Sequence, residues 1–217
     1  DEVFPGRRVG SFAWRTKDST SRTDSNFSEV HEHILVYGGA SFAFNGSPKS
    51  QKKYKNPDND PRGPWNIDPL TVNADRFERS SFFYPLRNPV TDVWYPCDPD
   101  RVWAYASEEK IKNIDRIRSG SMESWIREEK IIFPSDEKVA IWQSKEELLA
   151  AIEIGDIPKT PKRQRPLITK DTPDLDFWIG RRVGFGRPGF KKHWEELNSH
   201  INPVSSWIPR TGESEEE

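Results

Sequence analysis

Asn56-Pro57-Asp58-Asn59-Asp60-Pro61-Arg62-Gly63-Pro64-Trp65 decides how the whole chain is read. Proline has no N–H and a fixed φ, so at this density it forbids both a helix interior and a central strand. The wider segment 47–69 is equally rich in Pro, Asn, Asp and Gly, and it reads as one long ordered loop. Regular structure must therefore be short and lie to either side of it.

Upstream, His31-Glu32-His33-Ile34-Leu35-Val36-Tyr37 is β-branched and aromatic, ends at Gly38-Gly39, and predicts a buried or half-buried strand. A polar loop from Thr16 to Ser28, with Arg15, Lys17 and Arg22 in or beside it, precedes that strand. Downstream, Ser80 to Tyr84 and Arg101 to Tyr105 predict short strands joined by a proline-rich turn, Asn88 to Asp100. Ser107 followed by Glu108 and Glu109 predicts a capped helix, and a second helix is expected over Ser121 to Glu129. Lys130 to Phe133 and Lys138 to Trp142 predict a hairpin closed by Pro134 to Glu137. Ser144-Lys145-Glu146-Glu147 is a capping box, and its helix should run through Leu148 and Ile152 to Gly155. Beyond lie a basic linker at 158–170, a strand at Phe177-Trp178-Ile179 and a last helix from Gly189 to Asn198. The expected fold class is α+β, with short mixed strands and hairpins, several short helices and long loops.

Hydrophobic residues make up only 33% of the 217, yet 26 are aromatic and nine of those are tryptophan, so a folded, polar, loop-rich body is expected rather than a disordered chain. The longest apolar runs are a few residues, against the roughly 20 needed to cross a bilayer. No membrane span or signal peptide is expected, and the expected location is cytoplasmic. The opening at Asp1-Glu2, in mid-pattern and without an initiator methionine, suggests a piece of a larger protein.

The formal net charge of -2 hides a strong asymmetry. Residues 159–192 hold ten Lys and Arg against three Asp, a local charge of +7, so the remaining 183 residues carry -9. A ligand feels the nearby field and not the sum, so this window can hold a polyanion on an acidic protein. The last seven residues, 211–217, form an acidic tail expected to be disordered.

Catalytic and metal chemistry are poorly provided for. His31 and His33 share a strand face but have no third ligand at a persuasive spacing, so packing or structural hydrogen bonding is expected and no metal. The lone Cys97, between Pro96 and Asp98, excludes an intramolecular disulfide; it is expected to be an inert turn thiol whose change to serine costs under about 1 kcal/mol. Gly184-Phe185-Gly186-Arg187-Pro188-Gly189 satisfies G-x-G-x-x-G, but about 30 residues remain after it and Pro188 intrudes, so a dinucleotide site is not expected. Its glycines instead allow close backbone approach, with Arg187 displayed from the turn.

Tyr54 to Trp65, followed by Asp68-Pro69-Leu70-Thr71, resembles a segment of DNA methyltransferases of the β arrangement that act on exocyclic amino groups, including the modification subunits of Type III restriction systems. Three further stretches agree in order. They are Trp14-Arg15 with Asn26-Phe27 and His31 to Tyr37, Phe83 to Leu86 with Arg101 to Tyr105, and Phe177 to Gly180 through Gly186 to His193 and on to Pro203-Val204-Ser205-Ser206-Trp207-Ile208.

The resemblance implies the central target recognition region of such an enzyme, with adenine N6 as target and cytosine N4 as second choice. It implies 1–45 as the tail of the catalytic region, an edge segment of its parallel sheet, and 46–210 as the target recognition domain. The family's base-gripping Pro-Pro loop and its glycine-bearing cofactor segment are both absent from this chain, so it should bind no cofactor and be inactive alone. S-adenosyl-L-methionine would act in the complete enzyme. Implied partners are double-stranded DNA, the missing catalytic portions, and a second methyltransferase copy or a restriction subunit. The alternative is a non-catalytic protein-interaction module of a restriction-modification complex.

DNA contacts are expected from Arg15, Lys17, Arg22, Lys55, Arg62, Trp65, Arg181, Arg182, Arg187, Lys191, Lys192 and His193. Arg62 beside Trp65 suits stacking on or wedging beside a base, or else binding carbonyls within a structural loop. The basic pairs suit phosphates, and losing Lys191 and Lys192 together should reduce the salt dependence of binding by about two phosphates.

Overall fold

The computed structural model describes residues 3–16, 30–111, 119–135 and 138–208. Lys17, Arg22, the loop tip Asp136-Glu137, most of the helix expected after Ser107, and the acidic tail lie outside the described residues. The fold is mixed, with many short strands in several small sheets and two α-helices among the described residues. No described helix is long and apolar enough to cross a membrane. The chain divides into two units, 1–51 with 197–217, and 52–196.

In the first unit β1 (Arg8–Arg15) pairs antiparallel with β2 (His31–Tyr37), placing Phe12 opposite Ile34 and Arg15 opposite His31. The chain returns at its end to lay β12 (Trp207–Ile208) parallel to β1. A separate pair joins β3 (Ser47–Pro48) to β11 (Ile201–Asn202). The strand expected at His31 to Tyr37 is present but not buried, with Ile34 and Leu35 41% and 49% exposed. No described side chain of this unit is buried.

Among the described residues, every buried one belongs to the second unit. One sheet sets β10 (Gly189–His193) between β4 (Trp65–Pro69) and β7 (Ile131–Ile132), all antiparallel. The other runs β5 (Leu86–Asn88), β6 (Val93–Tyr95), β9 (Arg182–Gly184), β8 (Val139–Ala140), with β6 and β9 parallel. Strand alternation puts Val93 and Tyr95 on a core built around Leu70, Val102, Trp103 and Met122, while Trp94 turns to a second core of Trp142, Leu148, Ile157, Ile168 and Trp178. This four-stranded sheet therefore carries a core on each face.

Local rules held at the helices. Ser121 caps α1 (Met122–Arg127) in a reciprocal box with Ser124, each accepting the other's backbone N–H at 3.0 Å. Ser144 caps α2 (Lys145–Ile154) through the Glu147 N–H, and Gly155 ends it in the left-handed region at φ 74°. After Ser107 only a single 3-10 turn, Glu108–Lys110, is described.

Tertiary pairing overrode several expectations. The helix expected from Gly189 is instead the central strand β10 and a 3-10 turn, Trp194–Glu196, because β4 pairs along all five residues of the strand and β7 with its first two. Phe177-Trp178-Ile179 is not a strand but a 3-10 turn over Leu175–Trp178. The two strands expected as a hairpin exist as β7 and β8, but each pairs elsewhere, with β10 and β9. Ser80–Phe82 is a 3-10 turn, Arg101 and Trp103 make only isolated bridges, and the real hairpin, β5 with β6, starts at Leu86 ahead of the segment read as a turn and sets its second strand within it. Its bend is built by Asn88, whose Oδ1 accepts from Val90 N at 2.9 Å, and by Asp92 at φ 55°. The stretch 158–170 is no linker, since Pro158 and Ile168 are fully buried. Cys97 is likewise no surface thiol; it is 4% exposed, and burial pushes its pKa up to about 12.

Candidate nucleic-acid interface

The proline-rich loop folds around one carboxylate. Asn56 brackets Asp60, accepting its N–H at 2.7 Å and donating to its carbonyl at 2.9 Å, an arrangement that closes the turn without secondary structure. Asp60 then accepts from Arg62 three times, from N at 3.0 Å, Nε at 2.8 Å and Nη2 at 2.7 Å. Lys191 Nζ reaches the same carboxylate at 3.2 Å from β10. With Arg62 as the main cause, Asp60 is held far below the usual carboxylate range, against the opposing effect of its burial. Arg62 in turn has its pKa raised, and its Nη1 donates to the Glu128 carbonyl at 2.8 Å.

Around this centre the other expected residues are also engaged. Trp65 donates its indole N–H to Asp58 Oδ1 at 2.8 Å, and Lys191 pairs with the same Asp58 while its ammonium lies 5.2 Å from the Trp65 ring centre. His193 is completely buried, with Nε2 3.3 Å from Asp60 Oδ2 and Nδ1 3.5 Å from Glu196 Oε2, neither aligned as a hydrogen bond. Burial works to raise the Glu196 pKa, but its pair with Lys130 outweighs that and the net shift is downward. Arg62, Trp65, Lys191 and His193 thus come together as a latch between the loop and β10.

The remaining expected residues fall into distinct settings. Arg181 donates from Nε to the Phe177 carbonyl at 2.6 Å and stacks on the Phe177 and Trp94 rings. Arg187 is exposed and donates to Thr71 Oγ1 at 2.5 Å. Lys55, Arg182 and Lys192 have no carboxylate partner among the described residues, and Lys55 and Arg182 are exposed. Arg15 belongs to the first unit, on β1 opposite His31. His31 and His33 meet edge on, 5.1 Å between ring centres, and no group of three metal-ligating side chains occurs among the described residues.

Two cations absent from the expected set are also exposed and unpaired, Lys162 and Arg163. Their signal was the run Lys159-Thr160-Pro161-Lys162-Arg163-Gln164-Arg165-Pro166, whose flanking prolines favour a turn as much as a linker.

A cleft of about 650 Å³ between the two cores of the second unit has Trp94, Phe177 and Trp178 in its wall. Its rim carries Arg87, Lys110 and Arg127 against Glu109, Glu123 and Asp174, so its charge is balanced and it offers a polyanion nothing. The glycine loop Gly184 to Gly189 simply joins β9 to β10. Among the described residues no helix follows it to turn N–H groups toward a phosphate, and Pro188 is buried. No protein-family model matches the chain, and no curated protein matches its sequence.

Proposed function

We propose that the chain is the DNA-binding target recognition region of a site-specific DNA methyltransferase of a restriction-modification system, acting on adenine N6 or, as second choice, cytosine N4. The observation that carries this reading is the set of cations in the basic window, the exposed Lys162, Arg163, Arg182 and Arg187 and the half-buried Lys192, which no described carboxylate neutralises. Cations that no carboxylate already neutralises can replace the counterions condensed on DNA. The four ordered stretches of resemblance supply the enzyme class.

Methyl transfer then rests on other parts of the same enzyme, which supply the base-gripping loop and hold S-adenosylmethionine. The first unit suits the edge of a catalytic sheet. Its alternating strands carry Ile34 on one face and Leu35 and Trp207 on the other, all at least 41% exposed, the pattern of a layer that is covered on both faces when complete.

The test is binding of the purified chain to a mixed-sequence duplex over a series of salt concentrations. Neutralising four or five phosphates gives a slope of log K against log salt of about -4. A flat salt dependence, with capture of the restriction subunit instead, would transfer the chain to the protein-interaction alternative.

A further inference from the structure

Residues 158–166 form a small hairpin built to hold its tip still. Lys159 pairs antiparallel with Pro166, Thr160 N donates to Arg165 O at 2.8 Å, and Leu167 N donates to Pro158 O at 2.9 Å. The tip closes where Gln164 N meets Thr160 O at 3.0 Å and Arg165 N meets Thr160 Oγ1 at 3.0 Å, with Gln164 in the left-handed region at φ 51°. Gln164 folds its side chain back, giving Nε2 to Pro161 O at 2.8 Å and Thr160 O at 3.3 Å.

The base of the hairpin is anchored as firmly. Ile157, Pro158 and Ile168 are buried in the second core, and Arg165 is tied to Asp98 and Asp100. Thr160, Gln164 and Arg165 are therefore spent on holding the turn. Lys162 and Arg163 at its tip are exposed and without a partner. At the foot, Thr160 and Pro161 share a small recess with Gly186 and Arg187, so a further exposed guanidinium stands beside it.

We propose that this hairpin is a base-reading finger, entering the DNA major groove with Arg163 on a guanine edge and Lys162 on a neighbouring phosphate. It rests on the DNA-binding reading above and assigns part of the specificity to a residue of the hairpin. A two-stranded ribbon fits the major groove, and a guanidinium makes a bidentate contact to guanine O6 and N7 that an ammonium cannot reproduce. Ordering the turn in advance removes entropy that a solvated loop would lose on binding. Lys162 supplies a point charge suited to phosphate and carries no sequence information.

The experiment uses the full chain, its Arg163→Ala, Arg163→Lys and Lys162→Ala variants, and selection from a randomised duplex pool, followed by affinity and salt titrations on the selected site. The expected wild-type site contains a guanine at which Arg163→Ala and Arg163→Lys both lose preference. At that site Arg163→Ala binds about tenfold more weakly, and replacing the guanine by 7-deazaguanine weakens the wild type but not that variant. Lys162→Ala weakens all sequences alike and flattens the salt slope by about 0.9. Circular dichroism confirms folding, since both side chains are at an exposed tip.

The finger is overturned if the wild type binds DNA with a steep salt slope but selects no guanine that depends on Arg163, or if Arg163→Ala acts uniformly like Lys162→Ala; in both cases the DNA-binding reading survives. Absence of any salt-dependent DNA binding by the wild type overturns both proposals together.

Discussion

Asp60 sits at the centre of the second unit's polar architecture, and its charge is worth most when Arg62, Lys191 and the surrounding loop are folded around it. Asp60→Ala should cost about 3 kcal/mol, because the cations gathered there lose their shared partner. The pH dependence follows from the same contacts. The folded pKa is lowered, so the stabilisation is complete above the unfolded aspartate value near 4 and drains away as pH falls below it. Urea unfolding followed from pH 7 down to pH 2 should show a steeper acid loss in the wild type than in Asp60→Asn. The two neighbouring lysines of β10 separate in the same way. Lys191→Ala should lower stability and leave the salt slope of DNA binding unchanged, whereas Lys192→Ala should flatten that slope by about 0.9 and leave stability unchanged. Equal effects of the two on the slope would show that the Asp58 and Asp60 contacts of Lys191 are not maintained in solution. At Cys97 the buried setting reverses the expectation for a turn thiol. Cys97→Ser puts a hydroxyl into a core and should destabilise by about 1 to 3 kcal/mol in a denaturant titration. With its pKa pushed up to about 12, the thiol should resist labelling at pH 8 until the protein unfolds.

Among the elements, β10 is the most informative, because its sequence has helical spacing at Phe190, Trp194 and Leu197 and it folds as a strand. At Gly189 an added Cβ would lie 2.7 Å from the Cγ2 of the exposed Ile67 side chain, while the β4 backbone at Asp68 O stays at an ordinary 3.8 Å. Gly189→Ala should therefore turn the Ile67 side chain aside and lower stability by about 1 kcal/mol in a denaturant titration, at the mild end of overpacking. A midpoint unchanged from wild type would mean that the strand end gives way without strain. α2 contrasts with β10. Its cap, its apolar positions and its terminating glycine are all local, and it folds within the boundaries its sequence states.

For the whole molecule, the distribution of burial predicts unequal stability. The second unit is one continuous stretch, 52–196, with two cores, and the first unit adds no buried side chain among the described residues. The isolated 52–196 polypeptide should accordingly unfold cooperatively within about 4 °C of the whole chain by calorimetry, since roughly 1 kcal/mol moves a domain of this size by that much. A much lower or broadened transition would show that the first unit stabilises the second through contacts not counted in its burial.

The sequence by itself determined what depends on neighbours along the chain. The mixed strand-and-helix character, the proline-rich loop between β3 and β4, the caps of α1 and α2 and the strand at β2 all follow from dihedral restrictions, side-chain caps or period-two patterns acting within a few residues, although β3 and β4 themselves lie inside the 47–69 stretch read as one loop. The basic window was equally legible, since charge is a property of composition. Tertiary structure alone decided which strands pair, because the two-residue strands β7 and β8 carry no register information and take partners 43 to 59 residues away. It also decided which cations are spent and which are free. Lys191 and Lys192 are adjacent and chemically identical, yet alternation along β10 sends one to the loop carboxylates and leaves the other without a partner. A side chain's ion pairs depend on which distant carboxylates the fold brings to it, and that distance is not written in any local run of residues.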